Sequence, residues 1–227
     1  MRAGLPRVSN VARPDIAVQP PGEGWATLSD NVAGMNPVSG EGSSKPRSMA
    51  GEPSPADIPP DDKDWTWTLH RRCPDCGYSA AGVTGATVGA VVLKAAERWQ
   101  SVLARSDVRV RPAPTVWSAL EYGCHTRDVM IRMTGRLALM LDEDEPTFPN
   151  WDQDETAVAE RYWEQDPVTV ARQLADTAET TARAFSGVRA DQRSRRGMRS
   201  NGSQFTVETL SQYFLHDIVH HLHDVDG

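Results

Sequence analysis

The chain is short of cysteine, with three in 227 residues. So few thiols, in an odd number, cannot build a disulfide framework, and the count fits a reducing compartment. Long apolar runs are also missing. No stretch approaches the roughly 18 residues of a membrane span, and the early Arg2 is followed by no continuous apolar segment of the kind a secretory signal needs. Basic charge is in deficit: 24 Lys and Arg against 31 Asp and Glu give a net charge of −7. A nucleic-acid binder would carry the opposite excess. Hydrophobic residues make up only 39%, low enough to imply that part of the chain does not pack. These shortages leave a soluble, cytoplasmic protein without nucleic-acid or membrane partners as the expectation.

What is present is unevenly distributed. Residues 1–62 hold 10 of the 16 prolines, together with many Gly and Ser. Stretches such as Gly40-Glu-Gly-Ser-Ser-Lys-Pro46 cannot bury enough surface to offset the entropy of ordering them. A disordered leader over 1–62 is expected, followed by a helical domain over 63–227. From Trp65 the pattern changes. Trp65-Thr-Trp67-Thr-Leu69 alternates like a short extended segment. Val88, Val91, Val92, Ala95, Trp99, Val102 and Leu103 then recur at helical spacing, and Arg111-Pro-Ala-Pro114 ends that helix. A second helix is expected over 115–141 and a helical stretch up to Gln165. Asp166-Pro167 opens a further helix, with Asp as N-cap and Pro at the first helical position. The polar, basic stretch 189–202 reads as a connecting loop, and a last helix starts near Thr206. Four long amphipathic helices without βαβ alternation predict an all-α bundle.

The last helix carries four of the six histidines: His216, His220, His221 and His223. Residues four apart lie about 40° apart around a helix and one turn apart along it, so His216 and His220 can aim at one atom. Neutral imidazole is the commonest protein metal ligand, and an open site needs about three protein donors. His125, early in the second helix, supplies the third. Asp128, Asp217 and Asp224 stand ready to orient the imidazoles from outside. The plain alternative is a solvated polar face, because a helical wheel puts His216 and His220 opposite the apolar stripe. His221 lies beside that stripe, either as a packed residue or as a substitute ligand. His223 is a bystander.

Leu120-Glu-Tyr-Gly-Cys-His125 and Tyr213-Phe-Leu-His216-Asp-Ile-Val-His220-His221 together resemble the DinB superfamily, a group of four-helix bundles that includes mycothiol-dependent maleylpyruvate isomerase and bacillithiol transferases. The resemblance spans about Trp65 to Val225. It implies a DinB-like four-helix bundle with long crossover connections, and a divalent metal, zinc or nickel, held by His125, His216 and His220. It also implies a metal-dependent thiol transferase or isomerase, with mycothiol as co-substrate and a small electrophile as the second partner. A metal-dependent hydrolase, or a non-catalytic metal-binding bundle associated with stress, are the alternatives. A homodimer is compatible with any of these.

Cys73-Pro-Asp-Cys76-Gly77 has the shape of half a zinc ribbon, whose turn lets two thiolates reach one ion. Two more ligands would be needed, and with the C-terminal histidines assigned elsewhere, His70 and Cys124 are the spare partners. A redox dithiol is less consistent, since the motif follows no strand of a βαβ unit. A tight turn with two ordinary thiols is the preferred reading. The tryptophans read as packing anchors. Arg189–Arg196 reads as a solvated loop, or as a carboxylate-binding loop if it overhangs the metal groove. No hydrolase elbow or triad signature is present.

Overall fold

Residues 58–61 and 63–227 are described by the structure, a computed structural model. The expected leader lies outside them, except for residues 58–61. Five helices account for most of the described chain. Each begins where a polar side chain can accept from otherwise unpaired amides of the first turn. In α1 (Gly85–Leu103) that residue is Thr84, and in α4 (Pro167–Ser186) it is Asp166, with Pro167 at the first position as the sequence predicts. The helix α2 (Ala119–Asp142) starts later than expected, because Ser118 and Glu121 form a reciprocal capping box there. Arg111 reinforces it by donating from Nε to Glu121 Oε2 at 2.9 Å. Thr206 and Thr209 make the equivalent box for α5 (Val207–Asp224). The helix α3 (Gln153–Ala159) is short and capped by Asp152.

The apolar spacing read from α1 is the spacing that is buried: Val88, Val92, Ala95, Trp99 and Val102 are all covered. They meet Leu174, Ala178 and Phe185 of α4 and Phe214 and Ile218 of α5 in one core. The helices α1 and α2 each pack mainly against α4 and α5 and touch one another only sparingly. The order around the bundle is therefore α1, α4, α2, α5, so that α1 sits across from α2 and α4 across from α5. The α1–α4 seam is close. A Cβ added at Gly89 would overlap Ser186 Oγ and lie 3.0 Å from the Ala182 carbonyl oxygen.

Two segments differ from the sequence expectation. Trp65–Leu69 is a 3₁₀ turn rather than an extended piece, because Asp64 accepts from Thr66 N at 2.9 Å and Thr68 Oγ1 donates back to the Trp65 carbonyl. The basic stretch 189–202 is partly a strand. A small sheet runs β1 (Thr147–Phe148), β2 (Arg196–Arg199), β3 (Gln204–Thr206), with β1 and β2 parallel and β2 and β3 antiparallel. It buries Phe148 and Phe205. Arg195, expected in a solvated loop, instead donates to the Met140 carbonyl at 2.6 Å and to that of Glu143, binding free carbonyls at the C-terminal end of α2. The sheet leads directly to Trp151, whose place is held by the Asn150 amide donating to Ser200 Oγ at 2.8 Å.

Candidate metal centre

Since the capping box fixes where α2 begins, it also fixes which way His125 points two turns later. That ring is fully buried. Trp151 stacks on it at 5.4 Å with an interplanar angle of 5°, and Trp117 packs at 5.2 Å. Its remaining side faces α5, where it meets Asp217 and His221. The His125 and His221 rings are 4.8 Å apart between centroids, edge to face. Asp217 Oδ1 sits 3.2 Å from His221 Nε2 and 3.5 Å from His125 Nε2. These are ion-pair separations without hydrogen-bond alignment. Both nitrogens of His125, and Asp217 Oδ1, are left buried with no hydrogen-bond partner.

A cluster of convergent, unsatisfied donors is costly unless something binds it. Two imidazoles and a carboxylate within 4.8 Å of one another form a donor set that suits a divalent metal. The local charges agree for His125 and Asp217. Burial lowers the pKa of His125, favouring the neutral form a metal needs. Burial alone would raise the Asp217 carboxyl, but His221 and His125 outweigh it and hold the group well below the usual carboxylate range. Burial likewise opposes charge on His221, yet Asp217 and Asp224 raise its pKa to about 9, so this ring must release a proton before it can hold an ion. Asp224 Oδ2 lies 2.9 Å from His221 Nδ1, which leaves Nε2 to face the centre.

The other histidine pair has different company. His216 and His220 are 4.9 Å apart between ring centroids, and they group with Cys73 and Cys76, all four ligand atoms lying within 4.8 Å of one another. The three histidines expected from the sequence are thus divided between two neighbouring clusters. The reason is rotation about the axis of α5. Positions 216/220 and 217/221 form adjacent stripes about 100° apart, and the 217/221 stripe faces His125. The stripe that a helical wheel assigned to solvent is instead covered by the segment carrying Trp65, Trp67 and Tyr78, each of which packs on His216.

The outer carboxylates also sort themselves. Asp224 orients His221, as anticipated, and Asp217 moves inward to become a donor. Asp128 instead accepts from Tyr162 Oη at 2.5 Å and pairs with Arg127. Of the tryptophans expected to be core anchors, Trp65, Trp67, Trp117 and Trp151 pack on the histidines. His223 is exposed, and His70 is outside both clusters. Cys124 is buried beside the Tyr162 carbonyl, with a thiol that burial raises to about 12. Asp217-x-x-x-His221 has the same i,i+4 signal as the histidine pair, although the sequence pointed to Asp217 only as an outer carboxylate and to His221 only as a substitute ligand.

Access comes through a narrow crevice of about 60 Å³ that touches Tyr213, Asp217 and His221, and borders His216 and His220 of the other pair as well. Cavities of about 400 and 530 Å³ share Asp61, Trp65 and Gln153 with it. The larger is lined by polar groups, including Lys63, Asp152, Arg199, Asn201 and Ser203. No helix among the described residues is long and apolar enough to cross a membrane.

Comparison with known proteins gives two results. A family model described as the DinB superfamily matches residues 94–225. Among solved structures, YfiT from Bacillus subtilis, described as a probable metal-dependent hydrolase with an unusual four-helix bundle topology, is similar at a TM-score of 0.53. It has 18% sequence identity, over 61% of this chain and 81% of that one. No curated protein matches the sequence.

Proposed function

This chain belongs to the DinB superfamily, and on that footing we propose that His125, Asp217 and His221 form the centre of a divalent-metal-dependent enzyme that directs a small thiol at an electrophilic substrate. The observation carrying this reading is a group of three donors, not four, lying beside a crevice. Catalytic metal sites keep three protein ligands and one open position, whereas structural sites are closed by four. An ion held there would stabilise the anionic form of a thiol or water in the open position by direct charge attraction. Zinc and nickel both accept two imidazoles and a carboxylate.

The protein's own groups have separable tasks in this scheme. Trp117 and Trp151 hold the His125 ring and exclude water from it. Asp224 fixes the tautomer of His221. Tyr213 lines both the crevice and the polar cavity, and burial raises its pKa, so its phenol stays protonated as a hydrogen-bond donor to a bound substrate. The polar lining of the larger cavity suits a hydrophilic, hydroxyl-rich thiol such as mycothiol better than an apolar one. A second reading uses water instead of thiol at the same centre, and the description of YfiT as a probable metal-dependent hydrolase favours it.

The test uses untagged protein with a chlorinated dinitrobenzene, measured with and without added thiol and with a chelator. Thiol-dependent turnover is expected, abolished by chelation and reduced by about 100-fold or more in His221→Ala, since even outer partners of a metal site cost 10–100-fold. A chelator-sensitive rate that ignores thiol but consumes ester or amide substrates would favour the water reading. Turnover unchanged by both chelator and His221→Ala would overturn the assignment.

A further inference from the structure

We propose that Cys73, Cys76, His216 and His220 form a second metal site, a closed, structural Cys₂His₂ zinc site that fastens the segment before the bundle to α5. It is separate from the open centre and shares no ligand with it.

Four observations converge. The first is the donor set itself. Two sulfurs and two imidazole nitrogens lie within 4.8 Å of one another, and Cys73 Sγ is 3.7 Å from His220 Nδ1 across 147 residues of sequence. In tetrahedral zinc with bonds of 2.0–2.3 Å, neighbouring ligand atoms are roughly 3.3–3.8 Å apart. Next is the turn. Gly77 has φ +73°, its amide donates to the Cys73 carbonyl at 3.1 Å, and the Cys73 amide donates to the Tyr78 carbonyl at 2.9 Å. The chain thereby doubles back within five residues, which brings both thiols to one side, and only glycine takes that φ without strain.

The third is the far side of the imidazole. With Nδ1 of His220 toward the sulfurs, its Nε2 faces Asp224 Oδ1 at 3.7 Å. A carboxylate on the outer nitrogen of a ligating histidine is the usual support of a metal site. The last is enclosure. Cys73 and His216 are 1% and 4% exposed. Trp65 packs over both histidines at 5.6 and 5.3 Å, and Tyr78 covers His216 at 5.4 Å. His216 Nε2 is buried with no hydrogen-bond partner. Four protein ligands would leave no coordination position for substrate. The work of the site is to hold Trp65 and its neighbours where they wall the groove beside the open centre.

The experiment measures zinc in reduced, untagged full-length protein and records the absorption spectrum after cobalt substitution. Two metal ions per chain are expected, with thiolate-to-cobalt charge-transfer bands and the intense visible bands of tetrahedral cobalt. Cys76→Ser should lose one ion and those bands, and Asp217→Ala should lose one ion and keep them. If Cys76→Ser does not fold, the wild-type spectrum decides. A spectrum without thiolate bands overturns the proposal, as does a Cys73–Cys76 disulfide in protein purified under reducing conditions. Thiolate bands with a single bound ion uphold it and count against the open centre instead.

Discussion

His221 and Asp224 show how much of the chemistry is set by single positions. One carboxylate serves two clusters: Asp224 lies 2.9 Å from His221 Nδ1 and 3.7 Å from His220 Nε2. Asp224→Asn keeps the shape but removes the charge that both imidazoles face. Metal affinity at both centres is expected to fall by about 10–100-fold, read by competition with a chromophoric chelator. A loss confined to one centre would show that the carboxylate supports only that one. The tyrosines allow a test independent of metal. All four have raised pKa values, with burial as the largest cause; Tyr122 is pushed up to about 12, and Tyr162 is raised further by its bond to Asp128. Groups raised on folding stabilise the native state fully below their unfolded pKa of about 10 and lose that contribution as pH rises above it. Ultraviolet titration should therefore show less phenolate in folded than in unfolded protein at pH 10, and stability should decline on the alkaline side from there. At this scale the sequence was only half legible. Histidines at i,i+4 were visible, but the choice between the 216/220 and 217/221 stripes depends on a rotation about one helix axis that no local pattern records.

Among elements, the start of α4 was the most readable feature, because Asp166-Pro167 acts through residues adjacent in sequence. The strand over Arg196–Arg199 was not readable. Arg-Gly-Met-Arg has no strand-like alternation and becomes a strand only because Thr147–Phe148 and Gln204–Thr206 lie on either side. The 3₁₀ turn at Trp65 was hidden similarly, its alternation being accidental to a capped turn. Close helix packing gives a paired prediction. Gly89→Ala pushes a methyl into Ser186 and the Ala182 carbonyl of α4, and should destabilise by about 1–3 kcal/mol. Gly135→Ala in α2 meets nothing within 4 Å and should stabilise by about 0.5–1 kcal/mol through helix propensity. Chemical denaturation of the two variants reads both values. Equal effects would mean that the α1–α4 seam is looser than described.

For the molecule as a whole, the fold class was legible: an all-α DinB-like bundle was expected and is found. What sequence alone could not supply was the covering of the histidine face by the segment before α1, a contact spanning most of the domain. If both clusters hold metal, the folded state is linked to it. A ligand present at about a thousandfold its Kd adds about 4 kcal/mol to stability, so chelation should lower the thermal midpoint markedly and zinc should restore it. A midpoint indifferent to chelator would separate metal from folding.

The most direct measurement is anomalous diffraction at the zinc edge from crystals of untagged protein. The expected result is a peak bounded by His125, Asp217 and His221, with ligand distances of roughly 2.0–2.2 Å. No peak there, or one bounded by His125, His216 and His220 instead, would contradict the assignment of the open centre.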